Sequence, residues 1–256
     1  MLARRPSEFP GLCAVCNKNV RFSIDRLSGQ PLDVNFRETL ACPRCGLNNR
    51  SRLSTHFLLS AGVERDSKIY LTEQATALYR QFKRRFPSVV GSEYVAGGTL
   101  GEPGAHGWRH EDITRLSFDD AALDCVCTFD VLEHVPDYGA GLSECLRCLR
   151  PGGRLLMTVP FGVNDRKTLI RARVDPSGSI EHLHPPVFHN DPLSLGGILC
   201  FQIFGWDLLD LLRDLGLEDV ALHFFWSPAL AYLGGPQVVI SGTKAHGSAG
   251  APPSPS

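Results

Sequence analysis

A doubly wound α/β fold on a mostly parallel sheet is the prediction for this 256-residue chain, and three observations carry it. Two apolar runs, Val126 to Phe129 and Leu155 to Val159, flank a stretch in which Leu142, Cys145, Leu146 and Leu149 recur at helical spacing. Pro151, Gly152 and Gly153 stop that helix before the second run begins. Strand, helix and strand in that order make a βαβ unit, whose parallel strands need a covering helix. The alternation extends on both sides of the unit, so the pattern describes a whole domain.

Taken in order, Lys68 to Leu71 reads as a strand. Ala75, Leu78, Tyr79, Phe82 and Phe86 then mark a helix whose other face is basic, with Arg80, Lys83, Arg84 and Arg85. Val89 to Val95 brackets a second strand, and His110 to Ile113 a third. The two runs of the βαβ unit are the fourth and fifth. Trp206 to Leu215 is an amphipathic helix with Gly216 as its stop, followed by strands at Val220 to Trp226 and Val238 to Ser241. The sum is a seven-stranded, mostly parallel sheet. Residues 162–204 read as one long irregular stretch, interrupted by Pro176, Pro185, Pro186 and Pro192; a loop of that length inside a domain is usually functional. Phe224, Phe225 and Trp226 are expected in the core. Residues 245–256 are small and polar, which predicts disorder.

The first 60 residues differ from the rest. They hold two CxxC pairs, Cys13 with Cys16 and Cys42 with Cys45, with little apolar periodicity between them. Each pair can aim two thiolates at one ion, and two pairs complete a tetrahedral Zn²⁺ site of the zinc-ribbon kind. Four protein ligands leave no open position, so the metal is expected to be structural. The nine cysteines are odd in number and scattered through apparent core segments, which favours reduced thiols. Cys145 and Cys148 sit mid-helix among leucines and read as packing. The formal charge of −1 gives no global field toward nucleic acid or membrane. No apolar run is long enough to span a bilayer, and the start lacks the apolar core of a signal peptide, so a cytoplasmic location is expected.

The wording of the βαβ unit is also familiar. FDVLEHV followed by LRPGGRLLMTVP resembles the fourth- and fifth-strand segments of class I S-adenosylmethionine (SAM)-dependent methyltransferases. The resemblance covers roughly residues 65–242 and is specific at 110–161. It implies a Rossmann-like domain over 61–244 behind a zinc module at 1–60, with 162–204 as an insertion covering the substrate. It also implies a cofactor site. Glu93 at the end of the second strand would bind the ribose, with Tyr94 beside the adenine. Asp112 would approach the adenine amino group, with Ile113 giving an apolar contact. Phe129 and Asp130 would lie under the methionine half.

One departure stands out. The family's first strand runs into a glycine-rich turn, and this chain has KIYLTEQATALYR there. Thr72, Glu73, Gln74 and Thr76 must replace the glycines with side chains, or cofactor binding is lost. Glu73 would repel the methionine carboxylate but could pair with the amino group. The loop IEHLHPPVFHNDP offers His182 and His184 as candidate catalytic bases for a hydroxyl or amine acceptor. It also contains His189 and Asp191, and a second metal at 182–184 is conceivable. His134 falls where the family lines the substrate side of the pocket, though packing is the simpler role. The implied activity is methyl transfer from SAM to an oxygen or nitrogen of a small or medium-sized acceptor. The alternatives are a non-catalytic scaffold whose zinc module binds a partner, or a methyltransferase acting on RNA or protein.

Overall fold

The computed structural model describes residues 8–24, 35–104, 106–191 and 194–246. Nearly all of the expected tail lies outside the described residues. The described residues open with a hairpin, β1 (Glu8–Cys13) and β2 (Lys18–Ile24), followed by α1 (Phe36–Thr39) and by β3 (Leu40–Ala41), which pairs with β2. Helix α2 (Asn49–Ser60) follows. Strand β4 (Ile69–Leu71), α3 (Ala77–Arg85) and β5 (Val90–Gly91) begin the sheet. Strand β6 (Leu123–Phe129), α4 (Tyr138–Cys148) and β7 (Leu149–Thr158) form the βαβ unit. After the insertion come α5 (Asp207–Asp214), β14 (Leu217–Ser227) and β15 (Tyr232–Lys244).

The main sheet has six strands in the order β14-β15-β7-β6-β4-β5. Pairings β5–β4, β4–β6 and β6–β7 are parallel, and β15 joins β7 antiparallel. The expected third strand is reduced to one parallel bridge between Glu93 and His110. Glycine and loop residues at 97–107 surround that segment, and a ladder cannot extend through them. Helix α4 ends at Cys148, and the chain turns extended at Leu149, so Pro151 and the two glycines lie inside β7 rather than in a loop. The extended preference of the residue before a proline explains the early stop.

Residues 162–204 are more ordered than their prolines suggest. They form three small antiparallel ladders: β8 (Leu169–Ile170) with β13 (Gln202–Ile203), β9 (Ala172–Val174) with β10 (Ile180–His182), and β11 (Phe188–Asp191) with β12 (Ser194–Leu199). Pro176, Pro185 and Pro186 fall between these strands instead of abolishing them, and Pro192 lies outside the described residues.

Two cores lie on the two faces of the sheet. One packs α4 and α5 against β6, β7 and β15, with Cys145 and Cys148 fully buried in it. The other contains Cys13, Cys42, Cys45, Phe22 and Leu40 together with Ile69, Leu71, Phe82, Cys127 and Phe129. The cysteine module therefore shares its core with the sheet. Helix α3 clamps both knuckles: Gln81 Nε2 donates to Cys45 O at 3.0 Å, and Arg85 Nη2 to Val15 O at 2.7 Å. Part of the basic face thus serves the module rather than solvent. Phe224 and Trp226 correct another expectation, because they are exposed on β14; only Phe225 turns inward, edge-on to Phe57. Alternation along a strand with one wet face produces that result.

Arg52 on α2 is fully buried. It donates to the carbonyls of Leu230 and Ala231 at 3.0 and 2.7 Å and to Asn49 Oδ1 at 3.0 Å, with its guanidinium over the rings of Phe22 and Tyr232. Buried charge is tolerated only with such partners. Arg52→Ala strips hydrogen bonds from buried carbonyls and should lower the unfolding free energy by about 3 kcal/mol, read as a reduced urea midpoint.

Candidate functional site

A cleft of about 2260 Å³ opens beyond the carboxyl ends of β4, β5 and β6. This is the side on which parallel sheets of this kind hold ligands. Its wall at the end of β4 is the glycine-free turn. Thr72 N donates to Cys127 O at 3.1 Å and continues the parallel pairing one residue further. Glu93 Oε1 then accepts from the backbone of Gln74 and Ala75 at 2.7 and 2.6 Å. Gln74 Oε1 accepts from Arg109 N at 2.8 Å, and Thr76 caps α3 by accepting from Tyr79 N. Side chains thus fix the backbone that glycines would otherwise bend. The close approach has moved to the neighbouring strand: a Cβ on Gly91 would meet Glu73 O and the Tyr79 ring at 2.6 Å. The glycine that permits tight packing is present, but on β5.

All ten residues expected around a cofactor are near this turn, and all but Gln74 line the cleft. Glu93 is engaged with the turn through Oε1. Asp112 is engaged too: its Oδ1 accepts from the backbone and hydroxyl of Thr114 at 2.9 and 2.7 Å. Ile113 is buried, whereas Tyr94 is exposed at the mouth, edge-on to His110. Phe129 is buried against Phe82. Thr72 Oγ1 is buried and has no hydrogen-bond partner among the described residues, a polar atom that a ligand in the cleft can satisfy. Glu73 is enclosed at the wall. Burial pushes its carboxyl up to about 7, against the pull of the Thr76 hydroxyl and Arg50.

Asp130 ends β6 with φ of 53°, a left-handed conformation that Asp tolerates better than most residues. Arg37 Nη2 donates to its two oxygens at 2.8 and 2.7 Å, and Arg50 Nη1 lies at 2.9 Å. Glu38 bridges the two arginines at 2.5 and 3.2 Å. Burial opposes charge on Asp130, but the two guanidiniums outweigh it and hold its carboxyl below the usual range. Both arginines come from the cysteine module. Nothing local in the sequence links them to Asp130, 93 residues from Arg37.

On the other side of Asp130, Glu133 and His134 belong to a short 3₁₀ turn, Leu132–His134. Glu133 is fully buried, and His189 of β11 reaches it, with Nδ1 at 3.4 Å from Oε1. Burial pushes the Glu133 carboxyl up, and the close approach of that carboxyl raises His189. His182 and His184 are exposed and do not line the cleft. The histidines in the cleft are His134, His189 and, near the mouth, His106. His182 ends β10 and His184 lies in the bend after it, both on the solvent side, whereas His189 on β11 reaches the cleft.

In the module, the Sγ atoms of Cys13, Cys16, Cys42 and Cys45 all lie within 4.8 Å of one another, with Cys13–Cys45 and Cys16–Cys42 at 4.0 Å. A tetrahedral Zn–S₄ site with ~2.3 Å bonds needs sulfurs about 3.8 Å apart, so the donor set fits that ion.

Residues 75–157 match the family described as "Methyltransferase domain". A probable S-adenosylmethionine-dependent methyltransferase of Mycolicibacterium smegmatis is 44% identical over 126 residues, which is 49% of this chain and 40% of that protein. A demethylmenaquinone methyltransferase of Mycolicibacterium gilvum is 50% identical over 46 residues, 18% of this chain and 20% of that one. The chain thus spans less than half the length of these relatives. Among solved structures, the 4+2 cyclase SpnF superposes with a TM-score of 0.51 at 14% identity, covering 77% of this chain and 82% of that one. Among the described residues, no helix is long and apolar enough to cross a membrane.

Asp130→Asn keeps the size and the left-handed tolerance but removes the charge. The folded carboxyl is lowered, so its stabilisation is present above the unfolded value and lost as pH falls through the folded one. The variant should lose roughly 1 kcal/mol at pH 7, a figure kept small because Arg37 is open to solvent, and should show a flatter acid limb below about pH 4 in urea unfolding.

Proposed function

We infer, for a chain that carries a class I SAM-dependent methyltransferase domain, that the cleft binds SAM against the rebuilt turn and a small or medium-sized oxygen or nitrogen acceptor beside it. One observation carries this reading. The cleft holds acids at the ends of successive parallel strands, and at about 2260 Å³ it exceeds the ~300–1,000 Å³ of a single-ligand pocket.

SAM supplies an activated methyl on a sulfonium. The protein's part is to hold and orient. The Glu73 carboxylate takes the ammonium of the methionine half, and the Thr72 hydroxyl gains the partner it lacks. Arg50, beside Glu73 and Asp130, offers its charge to the methionine carboxylate. Phe129 and Asp130 form the floor. Glu93, at the end of its strand, lies where the ribose would sit, and Tyr94, Asp112 and Ile113 enclose the adenine. Residues Phe161, Val174, Phe188 and Ile198 give the acceptor side an apolar wall. A base is sought at His189 and His134 rather than at His182 and His184. The four cysteines hold a structural zinc that keeps Arg37 and Arg50 in place.

A second reading has one observation in its favour: Glu93 and Asp112 each spend an oxygen on their own turns. A scaffold that binds a partner through its zinc module needs no more from them. Calorimetric titration with SAM separates the two. Micromolar binding is expected, and no heat at millimolar SAM with zinc-loaded protein overturns the methyl-transfer reading.

Glu73 gives that titration a pH signature. With a carboxyl near 7, it must lose its proton to pair with the ammonium, so SAM affinity should rise toward about tenfold per pH unit between pH 5.5 and 6.5 and level above 7. Glu73→Gln should bind more weakly at pH 7.5 and lose the slope. For the metal, a zinc held by the four cysteines is expected by elemental analysis, and Cys13→Ser should release that zinc and lower the thermal midpoint.

A further inference from the structure

Glu133, His134 and His189 form a second constellation, in which the two candidate bases of the methyl-transfer reading meet a buried carboxylate. Each offers one ligand atom, and these atoms lie within 4.8 Å of one another. Glu133 Oε1 stands 3.4 Å from His189 Nδ1 and 3.8 Å from His134 Nε2. The carboxylate is fully buried, and neither oxygen receives an aligned hydrogen bond among the described residues. A buried carboxylate with no aligned donor is costly unless something positive completes it.

The surrounding bonds orient the ligands as they do around metals. His134 Nδ1 lies 2.8 Å from Leu199 O; a carbonyl only accepts, so Nδ1 donates there and Nε2 is the ring nitrogen on the Glu133 side, 3.8 Å from Oε1. The turn that carries Glu133 and His134 is fastened to the next segment. Phe201 N donates to Glu133 O at 2.7 Å, and Gln202 Nε2 donates to Leu132 O and Val135 O at 2.5 and 3.0 Å. His189 arrives on β11, which pairs with β12, whose last residue is Leu199. All three ligands therefore hang on one hydrogen-bonded frame, as preorganised sites require.

We propose that Glu133, His134 and His189 bind a divalent cation of the zinc, cobalt or iron(II) class in the cleft, on the acceptor side of Asp130. Two imidazoles and one carboxylate suit such ions, and three ligands leave positions open. An acceptor hydroxyl filling an open position would bind through oxygen and release its proton more easily, which makes hydroxyl-bearing acceptors the favoured class. That last step rests on the methyl-transfer reading; the cation site itself does not.

The test uses the full chain with its cysteine site filled by one equivalent of zinc and without SAM. Titration with Co²⁺, followed by visible absorption and by equilibrium dialysis, should show one further equivalent with weak d–d bands and no thiolate charge transfer. His189→Ala should weaken this second equivalent tenfold or more, and Glu133→Gln should do the same, with the cysteine-held zinc retained in both. No second equivalent at millimolar Co²⁺, thiolate bands on titration, or undiminished binding in both variants would overturn the proposal. SAM titrated separately tells the two apart: SAM binding without a second cation sinks the site alone, and a second cation without SAM binding sinks the methyl-transfer reading alone.

Discussion

Asp130 sets a negative charge at the buried end of the central strand, and the protein neutralises it with two guanidiniums that the sheet does not supply. Arg37 and Arg50 come from the cysteine module, Glu38 ties them together, and the cleft takes its floor from the result. Removing either side of this arrangement leaves the other unpaired in a place of low polarity. The module is therefore a wall of the site. Its sulfur cluster and the sheet share one hydrophobic core, so the geometry of the four cysteines and that of the cleft are fixed together.

The turn after β4 shows a related economy. A glycine-rich turn lets a ligand meet bare backbone. Here the backbone is held by a carboxylate from the next strand, an amide side chain and a threonine cap, and Gly91 allows the close approach to it. The rebuilt turn is more polar and more rigid. It also carries an enclosed carboxyl poised near neutral pH, which a glycine turn would not have.

Much of this was legible in the chain. The apolar runs at 126–129 and 155–159 and the helical spacing of Leu142 to Leu149 report packing that is local in sequence, so they could be read directly. The CxxC pairs are legible for the same reason: a two-residue gap is a geometric statement. The third strand was harder to read, because a single bridge leaves almost no pattern. The pairing of Asp130 with two arginines and of Glu133 with His189 had no local signal at all. Both join segments more than 50 residues apart, and the acid in each case sits in a motif whose neighbours drew attention first. His182 and His184 illustrate the converse. Their spacing is suggestive, but a two-residue period carries no fixed geometry where the strand ends between them, and both side chains are exposed.

The buried Arg52 has a consequence in time as well as in space. Its partners are carbonyls 178 and 179 residues further along the chain, in the turn between β14 and β15. During synthesis, α2 emerges long before that turn exists, and its guanidinium has no place to go until the turn arrives. The early module must wait, hydrated and unlocked, for one of the last pieces of the sheet. Contacts of such high sequence separation form slowly. Closure of the cleft wall is therefore a late event in folding, and a nascent chain stopped short of Ala231 has no means of completing it.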